Sequence, residues 1–180
     1  MQVGPYEVFG LMTDLFRLDG GAMFGVVPKN LWNKKIPGDA ENCIRLSARS
    51  LVLKTADKLI FVDVGCGTKY QTKQSQIYNF QSQQAPPFSE SSIPITDIIL
   101  THLHFDHGGG ISRYDERGYP VLSFPRANIF LNEKNYERAQ TQAQEKKLRI
   151  FQKTLTRSKW ANSASPKTPK KSCPTFESIK

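Results

Sequence analysis

All three histidines of the chain lie within six consecutive residues, in the stretch THLHFDHGGG at residues 101–110. They form the pattern His102-x-His104-x-Asp106-His107, called the histidine motif below. Neutral imidazole and carboxylate are good ligands for zinc and for other first-row metals. A lone histidine is better explained as a loop residue or a core hydrogen-bonding group. Four ligand-type side chains in six residues indicate a metal site instead.

The motif directly follows a short apolar run, ITDIIL at residues 95–100, which predicts a strand. In an extended segment side chains alternate, so His102 and His104 are expected to point the same way. The second pair of ligands comes after the strand has ended, where a turn of the chain can bring it beside the first pair. The glycines that follow either let the backbone pass close to a site or form a simple flexible turn.

Further elements are predicted from apolar patterns and turn residues along the rest of the chain. A Gln-rich and Ser-rich stretch with two prolines, residues 72–92, is expected to be a loop or a short surface helix. Asn132 can cap a helix that begins at Glu133. The predicted strands are an early one at 6–18 followed by a turn at 19–21, a hairpin of 45–55 and 58–65, and a strand at 127–132.

Length and composition predict one globular domain, with 180 residues, of which 38% are hydrophobic and 23% charged. No apolar run approaches the length of a membrane span, so we expect no membrane partner. The first ten residues lack the features of a secretion signal, so we expect a cytoplasmic protein. The three cysteines, Cys43, Cys66 and Cys173, form no CxxC pair and are expected to be reduced.

The net charge of +9 is concentrated at the carboxy-terminal end of the chain. Residues 1–145 hold 15 basic and 15 acidic residues, whereas residues 146–180 hold 10 basic residues and only Glu177. We therefore predict a folded domain at 1–145, followed by a helix end and a disordered, basic, low-complexity tail at 146–180. Because a nucleic-acid groove needs basic residues in the folded body, we do not expect a nucleic-acid partner.

The histidine motif, preceded by an apolar strand and followed by glycines, resembles the metal motif of metallo-β-lactamase-fold hydrolases. Residues 20–32, 45–55, 61–67 and 124–139 are similar, in order and spacing, to the amino-terminal half of the acyl-homoserine-lactonase-like branch. This resemblance implies an α/β (α+β) fold class. The chain would form the amino-terminal half of an αββα sandwich, with a mixed sheet and flanking helices.

The resemblance also implies roles for individual residues. His102 and His104 would bind a first zinc ion, and Asp106 and His107 a second. Asp63 would orient these ligands from behind the metals, although a strand-end aspartate can also simply cap a turn. Metal-activated hydroxide would attack a lactone, ester or thioester carbonyl, and Asp106, the catalytic residue, would orient the nucleophile and pass a proton to the leaving group.

Part of the family's ligand set is missing from this sequence. The family's second half supplies two further histidines and a bridging aspartate, whereas no histidine follows His107 and Asp115 is the only later aspartate. The carboxy-terminal half is thus expected to be truncated or replaced, leaving an incomplete set for the two zinc ions of a complete site. A sheet face that normally meets a second sheet would be exposed, so self-association is expected.

These observations lead to one main interpretation and two alternatives. The main one is a zinc-dependent hydrolase that acts on a small-molecule ester or lactone, with the activity of this chain alone left open. A phosphodiesterase or ribonuclease of the same superfamily would use the same motif. The third is a non-catalytic fragment that binds metal weakly or binds polyanions through its basic tail.

Overall fold

A computed structural model describes residues 1–70, 72–82 and 94–146. Seven strands form one sheet, in the order β1-β2-β3-β4-β6-β9 with β5 paired to β2, and β7 pairs with β8 separately. The strands are β1 (Gln2–Val3), β2 (Tyr6–Asp19), β3 (Cys43–Lys54), β4 (Leu59–Val62), β5 (Gln81–Ser82), β6 (Asp97–Leu100), β7 (Ser112–Tyr114), β8 (Pro120–Leu122) and β9 (Asn128–Leu131).

Five α-helices and one 3₁₀ turn, Gly109–Ile111, accompany the described strands. Asn132 caps the longest helix as predicted, because its side-chain oxygen accepts the Lys134 N–H at 3.0 Å. None of the helices in the described ranges is long and apolar enough to cross a membrane. The helices are α1 (Gly20–Phe24), α2 (Lys29–Trp32), α3 (Thr72–Tyr78), α4 (Phe105–Gly108) and α5 (Glu133–Lys146).

The sheet is mixed, which confirms the predicted fold class. The pairs β1–β2, β2–β3 and β3–β4 are antiparallel, whereas β4, β6 and β9 run parallel to one another. Because the carboxyl ends of parallel strands meet at one edge of a sheet, residues that follow β4 and β6 lie side by side. Asp63 and the histidine motif therefore start from neighbouring strands at the same edge.

One face of the sheet carries the main hydrophobic core. Side chains alternate between the two faces of a strand, so residues paired across the sheet share a face. A fully paired row crosses five strands on the core face, and all but its first member are buried: Phe9, Val52, Phe61, Ile98 and Ile129. Ile111, which follows the histidine motif, is also buried in this core.

The opposite face is apolar but less covered. Its adjoining row contains Leu51, Val62, Ile99 and Phe130, of which Leu51 is 45% and Phe130 36% exposed. Exposed aliphatic and aromatic side chains in one paired row favour association with another apolar surface. The self-association expected from the sequence stays a prediction.

The predicted strands and the hairpin are confirmed by β2, β3, β4, β6 and β9, and α3 confirms a short helix after residue 72. One local prediction was wrong, because the predicted turn at 19–21 is the start of α1. Asp19 accepts the Ala22 N–H at 2.7 Å and so caps a helix rather than closing a turn. Residues 83–92 of the predicted loop, Cys173 and all but the first residue of the predicted tail lie outside the described residues.

Candidate active site

The histidine motif closes on itself through a short helix. His104 is the extended residue before α4, and its carbonyl accepts the N–H groups of His107 and Gly108 at 3.1 and 2.9 Å. This turn brings the ring of His107 to 4.1 Å from that of His102, centroid to centroid, and the His104 ring lies 4.7 Å from the His102 ring. All three imidazole rings are therefore neighbours.

Asp63 lies behind this group of rings. It follows β4, is only 6% exposed, and adopts a left-handed backbone with φ of 60°. Its Oδ2 atom lies 2.8 Å from His107 Nδ1. Because an ionised carboxylate can only accept, the neutral His107 ring carries its proton on Nδ1, and Nε2 keeps the lone pair that a metal needs.

Thr101 connects Asp63 to a second ring. Its N–H donates to Asp63 Oδ1 at 2.9 Å, and its hydroxyl donates to the same carboxylate, with Oδ2 at 2.8 Å. That hydroxyl also lies 3.0 Å from His102 Nδ1. A hydroxyl that donates to Asp63 accepts from His102, so the free lone pair of that ring lies on Nε2 as well. One buried carboxylate thus fixes the tautomers of two histidines.

The protonation state of His102 also suits a ligand. Burial lowers the pKa of His102, and the neighbouring His107 and His104 rings lower that pKa further. Neutral imidazole is the form that binds metals. Asp106 Oδ2 lies 3.4 Å from His107 Nε2, and the two side chains are 29% and 37% exposed, so an ion can reach them from solvent.

The motif fits a metal ion in its ligand types and in the proximity of its rings, although its ligand atoms are not tightly gathered. In the described ranges, the set of three ligand atoms within 4.8 Å of one another belongs to Asp39, Glu41 and Cys43. Arg17 already forms ion pairs with both carboxylates of that set, at 2.9 Å to Asp39 and 2.5 Å to Glu41. Closure of the motif around an ion therefore requires small side-chain movements.

Two of the three glycines after the motif, Gly109 and Gly110, are needed for packing between two loops. A Cβ atom on Gly109 would overlap the carbonyl oxygen of Cys66, and one on Gly110 would overlap the carbonyl oxygen of Val64. The N–H of Gly110 also donates to Gly65 O at 2.9 Å. This close approach of two backbones explains the glycines better than either interpretation made from the sequence, access to a substrate or a flexible turn.

We expect Gly110→Ala to lower the free energy of unfolding by about 1–3 kcal/mol, the range for an overpacked interior, because the Val64 backbone must move away. Gly10→Ala is the matched control, since a Cβ there meets nothing within 4 Å. Urea denaturation of both variants checks the prediction, and a Gly110→Ala protein as stable as Gly10→Ala would contradict it.

A strand irregularity also directs a side chain to this site. The pairing of β2 with β3 shifts between Met12 and Asp14, and after the shift Asp14 lies on the buried side, only 4% exposed. Its Oδ2 atom accepts the Cys66 N–H at 2.8 Å. The loop that contains Asp63 is therefore fixed from β2 as well as from the glycines.

The Cys66 thiol predicts a pH dependence of stability. It is fully buried, and burial raises its pKa strongly above the ordinary value of 9.0. Above about pH 9 the unfolded chain loses a proton that the folded chain retains, so stability falls as pH rises, by about 1.4 kcal/mol per pH unit. We expect the stability difference between wild type and Cys66→Ala to shrink by about 1.4 kcal/mol from pH 8 to pH 10. Urea denaturation at both values checks this, and a constant difference would contradict it.

Sequence reasoning selected the four motif residues and Asp63, and the structure brings all five into one neighbourhood. It missed Thr101, Asp14 and Lys69, whose side chains hold the loops in place. No spacing rule identifies them, because each contacts a group that is distant in sequence.

The comparisons with known proteins agree with this geometry. The family model of the metallo-beta-lactamase superfamily matches residues 44–145. A probable metal-dependent hydrolase from Staphylococcus aureus is 28% identical, with a TM-score of 0.68, over 78% of this chain and 52% of that one. No curated protein matches the chain at a significant level.

Two further solved structures are similar. AidC, a dizinc quorum-quenching lactonase in complex with the product N-hexnoyl-L-homoserine, is 26% identical with a TM-score of 0.50, over 76% of this chain and 45% of that one. The hydrolase AbOPH of the beta lactamase superfamily, 20% identical with a TM-score of 0.57 over 85% of this chain and 53% of that one, shares the fold alone. The chain spans about half the length of these structures. The family model covers more than half of this chain, which therefore belongs to the metallo-β-lactamase superfamily.

Proposed function

We propose that the chain carries the metal-binding half of a zinc-dependent hydrolase that opens a lactone or cleaves an ester or thioester. The geometry around His102 and Asp63 supports this most directly. The His102 ring contacts both other histidine rings, and the Asp63 carboxylate binds His107 Nδ1 at 2.8 Å. A carboxylate behind a metal-binding histidine fixes the ring and raises its basicity.

The motif residues and Asp63 have distinct tasks in this proposal. His102 and His104 would hold one zinc ion, and Asp106 and His107 the second. Bound zinc would supply a Lewis acid that polarises a carbonyl and lowers the pKa of water. Asp106 would accept the proton of the attacking water and return it to the leaving alkoxide, so that water and a lactone give a hydroxy acid.

The position of Asp106 suits a proton carrier. It lies in the first turn of α4, directly beside His107, and it is accessible to solvent. The preference for a lactone rests on the similarity of the sequence to lactonase-like enzymes and on AidC, which is a lactonase.

The test is a hydrolysis assay of the purified full chain with and without added zinc, using a lactone, a carboxylic ester and a phosphodiester. We expect zinc-dependent hydrolysis of the lactone or the ester, and Asp106→Asn should lower the rate by about 10²–10⁴-fold. Asp115→Asn is the matched control, because Asp115 caps a turn through the N–H groups of Arg117 and Tyr119.

Two results would count against the proposal. Hydrolysis of the phosphodiester alone would favour the nuclease alternative. A rate that Asp106→Asn leaves unchanged would remove Asp106 from the proton transfer.

A further inference from the structure

Lys69 is a half-buried cation whose partners, in the described part of the chain, are backbone carbonyls rather than carboxylates. Its ammonium group donates to Gly109 O and, at 2.6 Å, to Ser112 O. Burial lowers the pKa of Lys69 to about 8, so the charged form predominates at pH 7. Such a group costs free energy to bury, and its two hydrogen bonds offset that cost.

The two carbonyls lie in the segment that follows the histidine motif. Gly109 begins the 3₁₀ turn directly after α4, and Ser112 is the first residue beyond that turn. The Gly109 carbonyl lies at the end of α4, where carbonyl groups lack partners within the helix and carry partial negative charge, whereas the Ser112 carbonyl belongs to β7. A lysine ammonium is a suitable partner for them.

The loop that provides Lys69 also contacts α4 directly. Val64 N–H donates to His107 O at 2.8 Å, and Gly110 N–H donates to Gly65 O at 2.9 Å. The backbone on both sides of Gly108 is thus bound to the loop after β4. Lys69 is the charged contact between the same two segments.

Tyr70 helps to keep that loop in shape. Its hydroxyl lies 2.7 Å from Cys66 O, to which it donates, and its ring contacts the ring of Phe105 in α4 with centroids 6.2 Å apart. Lys69 therefore extends from a fixed base, and its reach to Gly109 and Ser112 does not depend on a mobile backbone.

We propose that Lys69 is a positioning residue, which holds the turn after His107 and thereby the orientation of α4 that lets Asp106 and His107 face a metal ion. The consequence for metal rests on the proposed function. The effect on the turn itself does not rest on that function, because Lys69 binds backbone carbonyls of the chain, and these contacts need no metal ion.

The first experiment measures amide hydrogen exchange of the full chain at pH 7 without added metal, comparing Lys69→Met with wild type. We expect the amides of Val64, Gly108 and Gly110 to exchange about tenfold faster or more, because two charge-assisted hydrogen bonds are lost. Exchange of the buried Phe61 and Ile98 amides in the sheet should not change.

Lys73→Met is the matched control, because Lys73 is an exposed lysine of α3. It should leave every one of these exchange rates as in wild type. Unchanged exchange of the three loop amides in Lys69→Met would overturn the proposal.

A second variant is needed if Lys69→Met lowers the stability of the whole domain, so that the Phe61 and Ile98 amides also exchange faster. In Lys69→Ala, added propylammonium should restore slow exchange of the loop amides, whereas propanol of similar size should not. Equal effects of propylammonium and propanol would overturn the proposal, because filling space would then suffice.

A zinc titration separates this proposal from the proposed function. We expect Lys69→Met to bind zinc about 10–100-fold more weakly than Lys73→Met, as is typical when a group behind a metal ligand is lost. If neither wild type nor Lys73→Met binds zinc, the proposed function fails, and the exchange rates alone decide the role of Lys69.

Discussion

The double substitution His102→Ala/His104→Ala should lower the zinc affinity of the chain by more than about 100-fold. Loss of a residue that only hydrogen-bonds to a metal ligand lowers the affinity by about 10–100-fold, and loss of the ligands themselves should cost more. The double substitution removes both protein ligands proposed for the first zinc ion and leaves only Asp106 and His107 for the second, fewer than the three protein ligands of an ordinary catalytic zinc site. Zinc content after dialysis and a competition titration with a chelator measure the effect.

Cys43→Ser is the matched control for this substitution, because Cys43 belongs to the set of ligand-type atoms around Asp39 and Glu41. We expect this variant to bind zinc as wild type does, since Arg17 already pairs with both carboxylates of that set. Loss of zinc from Cys43→Ser, with retention in the double histidine variant, would place the metal outside the histidine motif and contradict the proposed chemistry.

Asp63→Ala should lower the free energy of unfolding by about 3 kcal/mol and also abolish tight zinc binding. The substitution leaves the Thr101 N–H, the Thr101 hydroxyl and the Nδ1–H of His107 without their acceptor in a partly buried place. Each unsatisfied buried donor costs about 1–3 kcal/mol, and water that enters the space recovers part of it. Urea denaturation and a zinc titration measure the two effects.

Asp63→Asn separates the two effects. Asparagine tolerates the left-handed backbone at this position and can still accept from Thr101, so most of the stability should return. Its neutral amide cannot polarise the His107 ring as a carboxylate does, so zinc affinity should stay low. Wild-type stability in Asp63→Ala would contradict the structural role of this carboxylate.

The strands and the motif were predictable because their signals are local. The apolar run before Thr101 gives β6, and the alternation and turn residues around Ala56 give the β3–β4 hairpin. Ligand types at close spacing identified the histidine motif. Asp63 was selected through the resemblance, and its position beside His107 accounts for that match in physical terms.

The supporting contacts could not be predicted, because they join groups that are distant in sequence. The shift in pairing after Met12 directs the Asp14 side chain to Cys66. The local sequence pattern of β2 does not predict this shift. The role of Thr101 could not be predicted either. In the sequence it is an ordinary residue after a strand, and only the fold places it beside Asp63. The turn at 19–21 was predicted wrongly because a turn and a capped helix begin with the same residue types.

The wide sequence separation within this site affects the order of folding events. Asp63 meets Thr101 across 38 residues and His107 across 44. Closing such long segments costs chain entropy, and the contacts that form afterwards offset that cost. We therefore expect β4 to pair with β6 before Asp63 binds Thr101 and His107. During refolding, the Asp63 carboxylate would reach Thr101 and His107 late, so a nascent chain would have its sheet before the rings of the motif are oriented.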